Sequence, residues 1–368
     1  MFALWQMHIE LQSMKNTTDK NLSLRLQLPD LLKGVAVLLM IQVHLVELFA
    51  KPEIFESALG RWSLFLGGPP AAPVFMAVMG YFLAKGNKSF IQLIYRGFKL
   101  LIWGFLLNIG LNANLFYHIF MDKVQANPMH YLFGVDILFL AGLSVITVAV
   151  FRLFFADKVF YWAVLMLIAA AIFPYMPAVN PKNSLLNYFL AYLYLPVSWS
   201  YFPLFPWLSY VLAGYIFYLL KTGHFYLDLN LKVRLIILFI LILLIGLTFS
   251  WSAEISHNLQ AYYHHGVIYF LWVLLFMAGW AIILQMAANF RLTEYPLRYL
   301  VWIGQNVTAF YVFQWLIIGN LATVFLNSSG LPGLAGWFVA ITLATTILVF
   351  VWNIAKVSYH QKQKAAIM

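Results

Sequence analysis

The sequence predicts an all-α, polytopic integral membrane protein of about ten transmembrane helices, with both termini in the cytoplasm. Three observations predict it. Of the 368 residues, 64% are hydrophobic and only 9% are charged, where soluble domains carry roughly 25% charge. A soluble globule cannot hide that much apolar surface, and a disordered chain would be far more polar. The apolar residues fall in stretches long enough to cross a bilayer as helices, not in the short alternating segments of a barrel. Taking those stretches as spans places most Lys and Arg on one side of the membrane.

In chain order the spans are expected at 31–49, 62–84, 97–119, 131–151, 159–178, 201–220, 235–252, 266–288, 300–325 and 335–355. The stretch 183–200 is apolar but broken by Pro196, and reads as an interfacial or re-entrant segment on the outer side. With the N-terminus in the cytoplasm, 18 Lys and Arg lie inside and four lie outside, namely Lys51, Arg61, Lys123 and Lys182. A missed or extra span would scramble that alternation, so the asymmetry also tests the segmentation. The first thirty residues are polar and mixed, with no apolar signal region, so Leu31 onward is expected to act as an uncleaved first span. Residues 1–30 are read as a cytoplasmic segment, 31–355 as one membrane domain and 356–368 as a cytoplasmic tail. No repeat of 20–50 residues is visible, and no matched pair of broken helices points to a transporter.

The absence of cysteine excludes a disulfide framework, thiolate catalysis and a Cys-ligated metal site. The net charge of +10 is what cytoplasmic loops beside anionic lipid require, so no nucleic-acid partner is expected. The expected location is the bacterial cytoplasmic (inner) membrane.

Most spans carry no ionisable side chain in their interior. The first is different: it holds Lys33, His44 and Glu47. A charge at mid-helix costs about 2.5–3.5 kcal/mol on insertion scales, so such groups are functional candidates by default. Lys33 sits near the start of the span and reads equally as a snorkelling residue, and Asp30 with Lys33 as a surface ion pair. Lys33 and His44 are eleven residues apart, which is about three turns and about 16 Å along one helix face. Glu47 neighbours His44 on that face. The functional reading makes His44 a general base, whose ordinary pKa near 6.5 suits proton abstraction, with Glu47 orienting the ring. The bland reading is a packed His bonded between helices.

The run LPDLLKGVAVLLMIQVHLVE (28–47) resembles the first span of the superfamily of transmembrane acyltransferases. The family-three membrane acyltransferases of that group carry an Arg, ten residues and a His, a pattern that Lys33 and His44 occupy here. GGPPAAPVFMAVMGYFLAKG (67–86), FPLFPWLSYVLAGYIF (202–217) and LVWIGQNVTAFYVFQWLII (300–318) resemble the branch related to heparan-α-glucosaminide N-acetyltransferase. The four stretches follow in order across most of the chain. The resemblance implies transfer of an acyl group, acetyl first among them, from cytoplasmic acyl-CoA to a carbohydrate or other envelope acceptor. Acetyl-CoA is then a co-substrate, with no permanently bound cofactor and no metal. The chain departs from the pattern in three places. Lys33 replaces the family-three Arg and loses its bidentate fork. The heparan-type enzymes place a reactive His in the loop after the first span, whereas no His lies between His44 and His118 here, so His44 is taken in that role. Gln314 stands where many relatives have a His.

Further candidates are weighed by the same chemistry. Asp136, near the outer start of span four, is read either as an acceptor-binding carboxylate or as a helix cap. Asn306 and Gln314 in span nine either line a cavity or bond between helices. The aromatic cluster 192–210, with Trp207 and Tyr210, is either an interfacial belt or a stacking platform for a sugar. Lys85, Lys88, Arg96 and Lys99 form the densest basic loop, explained by topology alone or by CoA phosphates. His264 and His265 suggest a metal only if a third ligand joins them, and RLTEYPLR (291–298) reads as an ordinary cytoplasmic turn. The expected partners are therefore the bilayer, acyl-CoA and an envelope acceptor, with a homo-oligomer left open. Two rival readings share these residues: a transporter or flippase for a lipid-linked sugar or anion, and a non-catalytic subunit of an envelope-assembly complex.

Overall fold

Helices account for every long apolar stretch in the computed structural model, which describes residues 28–177, 184–223, 231–288 and 294–367. Among the described residues, nine helical spans are long and apolar enough to cross a membrane, one of them, Ala58–Lys85, made of two helices with a turn between. The expected fifth span is a shorter apolar helix, Val159–Ala171, followed by a 3-10 turn at Phe173–Tyr175. The protein is an all-α integral membrane protein.

The elements in order are α1 (Leu28–Phe49), α2 (Pro52–Phe55), α3 (Ala58–Gly67), α4 (Ala72–Lys85), α5 (Phe90–Leu111), α6 (Ala113–Phe120), α7 (Pro128–Leu132), α8 (Ile137–Phe155) and α9 (Val159–Ala171). They continue with α10 (Ser184–Ala191), α11 (Leu204–Thr222), α12 (Leu231–His257), α13 (Leu259–Tyr263), α14 (Val267–Ala287), α15 (Glu294–Gln305), α16 (Val307–Phe325) and α17 (Leu331–Ile367).

Three expected spans differ in a way that matters for the site. The second is broken: α3 ends at Gly67, the chain turns through Gly68-Pro69-Pro70-Ala71, and α4 begins with Pro73 in its first turn. Pro in a first turn loses no helical bond, whereas Pro69 and Pro70 within a continuous helix would remove two donors. The third starts earlier than expected, at Phe90, behind a capping box of Ser89 and Gln92, and breaks at Asn112 before α6. The ninth is divided at Asn306 into α15 and α16. Unwound backbone inside a membrane protein persists only where it is buried in protein or lines a cavity.

α1 packs against α3, α4, α15, α16 and α17 and is the central helix of this half. The closest crossings use paired glycines. A Cβ at Gly34 would overlap the Leu300 carbonyl and one at Gly304 the Asp30 carbonyl, which locks α1 to α15. Gly80 and Gly214 do the same for α4 and α11, against the backbones of Val211 and Ala77. Lipid tails offer no hydrophobic drive for helix association, so close backbone approach at small residues supplies the van der Waals contact instead. The larger core gathers α4, α8, α9, α11 and α14 around Trp162, Trp207, Tyr210 and Tyr215. A second core joins α1, α16 and α17 through Val37, Ile41, Phe310 and Ile341. In contrast, α12 presents Ile236, Phe239, Leu243 and Leu247 outward, as a lipid-facing helix does.

Candidate functional site

A cavity of about 440 Å³ opens between the two cores, toward the Phe49 end of α1. That is the size of an ordinary small-molecule site, typically ~300–1,000 Å³. Its walls include two of the breaks described above, those at Gly68–Ala71 and at Asn112. α1 supplies Met40, Val43, His44 and Glu47; the α3–α4 break supplies Gly67, Gly68, Ala71 and Ala72; α5 and the Asn112 break supply Asn108, Leu111 and Asn112. The loop before α8 adds Gly134 and Asp136, and α13 and α16 add Tyr262, Tyr263, Tyr311 and Trp315.

Helical spacing explains why His44 and Glu47 enter together: residues three apart share a face. Gly67 keeps the opposite wall close, because a Cβ there would strike the Val43 side chain. Gln42 and Ser63 fix α1 against α3 by reciprocal bonds, Gln42 Nε2 to the Ser63 carbonyl at 2.9 Å and Ser63 Oγ to Gln42 Oε1 at 2.5 Å. The His44 ring lies against the Trp315 indole, with centroids 4.1 Å apart and planes at 39°. Its Nδ1 is screened from solvent and has no hydrogen-bond partner. The imidazole is thus held by ring contact in the cavity wall.

Asp136 is a helix cap, one of the two roles left open by the sequence, and also lines the cavity. Its Oδ1 caps α8, accepting from Leu138 N–H at 2.8 Å and Phe139 N–H at 3.3 Å. Its Oδ2 accepts from the Tyr311 hydroxyl at 3.1 Å. Burial outweighs those three bonds, each of which favours the carboxylate, and pushes the group up to about 6. The loop carrying it is tied down twice. Asn108 Nδ2 donates to the carbonyls of Leu132 and Gly134 at 3.0 and 2.9 Å. Val135 pairs with the 199–202 segment through backbone bonds. Nearby, His130 lines the cavity and stacks on Trp199, with centroids 3.9 Å apart.

The other sequence candidates lie elsewhere. Lys33 forms a 2.8 Å ion pair with Asp30 at the opposite end of α1 and sits 5.6 Å over the Phe82 ring. Lys85 approaches the same ring at 5.9 Å. Lys88 and Lys99 are exposed and Arg96 is half-buried on this basic end. Asn306 bonds the Trp302 carbonyl and Asn353, which joins α16 to α17 at that end. Gln314 is fully buried beside Trp315, outside the cavity lining, and its amide oxygen and nitrogen have no partner. Trp207 and Tyr210 are fully buried behind the lining. Trp207 Nε1 donates to the Tyr263 carbonyl at 2.8 Å, and Tyr210 bonds His265 at 2.9 Å.

Glu254 and His257 pair with Arg61 and Glu56 at 3.6 and 3.0 Å, and none of the four lines the cavity. Among the described residues, no group of three or more His, Asp or Glu side chains is placed to hold a metal. Of the RLTEYPLR stretch, residues 291–293 fall outside the described residues, and α15 begins at Glu294.

Sequence reasoning did not single out Asn108, Asn112, His130, Tyr262, Tyr263, Tyr311 or Trp315. The signal available was Asn108 and Asn112, two amides four residues apart in an apolar span. The aromatic residues stand in an aromatic-rich sequence and carry no such mark.

Compared with known protein families, residues 25–233 match the family described as heparan-alpha-glucosaminide N-acetyltransferase, catalytic. The match covers more than half of the chain and includes Lys33, His44, Glu47 and Asp136. No curated protein and no solved structure matches the chain.

Proposed function

Because the chain belongs to the heparan-alpha-glucosaminide N-acetyltransferase catalytic family, and is thus a membrane acyltransferase, we propose that it carries an acetyl group from cytoplasmic acetyl-CoA to a hydroxyl or amine that enters the cavity from the other side. The asymmetry of Lys and Arg supports this orientation, with the Lys33 end of α1 inside and the cavity toward the outside. On the inner end, Lys33, Lys85, Lys88, Arg96 and Lys99 offer cations for the donor's phosphates, while its narrow arm extends toward His44.

The observation that carries the proposal is the cavity that His44, Glu47 and Asp136 line together. His44 takes the proton of the acceptor as its oxygen or nitrogen attacks the thioester carbonyl. The new C–O or C–N bond forms, the C–S bond breaks, and CoA leaves as a thiolate that recovers the proton from His44. Glu47 lies one turn along the same face and stabilises the imidazolium between those two transfers. Asp136 accepts a hydrogen bond from the acceptor, and the aromatic walls stack on its apolar faces. The donor, the acceptor and the bacterial inner membrane all belong to this proposal.

The test is an assay of purified protein in nanodiscs with labelled acetyl-CoA against a panel of sugars, reading both acetylated product and free CoA. Product with stoichiometric CoA supports the proposal. Movement of a sugar across the membrane with no thioester consumed would replace it with the transport reading.

A further inference from the structure

The matched stretch ends at residue 233, so family membership assigns nothing to the wall that α13 and α16 contribute. Within that wall Tyr262 is unusual. It is 5% exposed and lines the cavity, yet its hydroxyl is screened from solvent and has no hydrogen-bond partner. Buried tyrosine hydroxyls ordinarily find a partner, because an unmade bond there costs free energy.

Everything else about Tyr262 is fixed. Its N–H donates to the Asn258 carbonyl at 2.8 Å. Its carbonyl faces His265 Nδ1 at 2.7 Å, and its ring makes an edge contact with Trp207 at 5.5 Å. A carbonyl only accepts, so His265 Nδ1 carries a proton. Burial pushes His265 down to about 4, which keeps the ring neutral and leaves Nε2 as an acceptor. The Tyr210 hydroxyl, 2.9 Å away, therefore donates to Nε2. The relay runs in one direction, Tyr210 to His265 to the Tyr262 backbone, and leaves the Tyr262 hydroxyl unused.

We propose that the Tyr262 hydroxyl is an acceptor-binding group that hydrogen-bonds a ring hydroxyl of a sugar seated in the cavity, with His265 and Tyr210 as positioning residues. The site around it has the chemistry of a pyranose seat. Tyr263 and Trp315 offer faces for the sugar's C–H bonds, and Glu47 and Asp136 offer carboxylates for its hydroxyls. The proposal rests on the cavity being the acceptor side of an acetyltransferase.

The experiment uses the full chain in nanodiscs with glucose and glucosamine as probes. Binding is measured by calorimetry without acetyl-CoA, and turnover is measured with it. Tyr262→Phe is expected to weaken sugar binding and raise the sugar KM by about five- to tenfold, the range set by one hydrogen bond. The acetyl-CoA KM, which reports the donor side, is expected to move less than the sugar KM. His265→Ala is expected to raise the sugar KM with kcat unchanged, and His265→Gln, which keeps an N–H for the Tyr262 carbonyl, to restore it. Unchanged sugar affinity in folded Tyr262→Phe overturns the proposal, as does failure of the wild-type protein to bind either sugar. A joint fall in kcat and stability in His265→Ala that Gln does not rescue overturns the positioning role. Sugar binding sensitive to Tyr262→Phe, but with no acetyl transfer, keeps the seat and removes the enzymatic reading instead.

Discussion

The Tyr311 hydroxyl donates to Asp136 Oδ2 at 3.1 Å, joining residues 175 apart in sequence across the cavity. One partner lies inside the stretch that defines the family and the other lies outside it. The cavity is thus assembled from both halves of the chain, and the carboxylate acts as cap, strut and cavity group together.

That arrangement gives Asp136 a pH signature. Its carboxyl is raised to about 6, chiefly by burial, against an ordinary value of 3.8. Below pH 6 it is protonated in the folded protein and no longer accepts as a carboxylate, so the sugar KM is expected to rise as pH falls through 6. Asp136→Asn removes that inflection from the KM profile. The stability sign is opposite. The fold binds this proton more tightly than the unfolded chain does, so the group's contribution to stability falls as pH rises from about 4 to about 6. Thermal melts of wild type and Asp136→Asn over that window show the slope in the first and not in the second.

On the proposed mechanism, turnover depends on His44. His44→Ala is expected to lower kcat by about 10²–10⁴, the range for a positioned general base, while the protein still inserts and melts cooperatively. The side chain is held by contact with Trp315 and not by a network of bonds, so its removal leaves no orphaned donor behind. Labelled-acetyl transfer together with a melting curve separates the two effects, and full transfer by the alanine variant removes the mechanism.

The contrast between these residues shows what the sequence could reveal. His44 and Glu47 were visible because charge is scarce in an apolar span and helical spacing places them on one face. Asp136 was visible, but capping and a place at a cavity looked like alternatives, whereas the fold has it cap α8 with one oxygen and line the cavity as well. Tyr262 and Tyr311 were not visible, because an aromatic residue in a sequence with 21 Tyr and 33 Phe carries no local mark. Their selection depends on which helix backs which, a tertiary fact. The breaks at Gly68–Ala71, Asn112 and Asn306 were likewise read as continuous spans. Apolar length alone cannot distinguish a helix from two helices separated by a turn, and here the first two of those turns line the cavity.

The lining predicts which acceptors are refused. Glu47 and Asp136 face the cavity, and among the described residues no Lys or Arg lines it. An acceptor carrying a carboxylate would meet like charge with no cation to offset it, a cost that grows in a low-dielectric site. Glucuronate is therefore expected to show a KM at least about tenfold above that of glucose, and Glu47→Gln to narrow that ratio. Equal use of the two sugars by the wild type would contradict the charge argument.

The crossing of α4 and α11 supports the same cavity from behind, since Ala72 and Phe75 of α4 line it. Gly80 lies on the Val211 carbonyl and Gly214 on the Ala77 carbonyl, so a methyl at either position must push two backbones apart. Backbone yields less readily than a side chain, and overpacking of this kind costs about 1–3 kcal/mol. Gly214→Ala is expected to lower the melting temperature by several degrees and to raise the acceptor KM as the α4 wall shifts. Gly246→Ala is the matched control. It sits in α12 with nothing within 4 Å of the added carbon, so the same methyl should leave the acceptor KM unchanged and, since Ala is the better helix former, should not lower the melting temperature. A drop in Gly246→Ala equal to that in Gly214→Ala would contradict the contact argument, because helix propensity favours alanine at both positions.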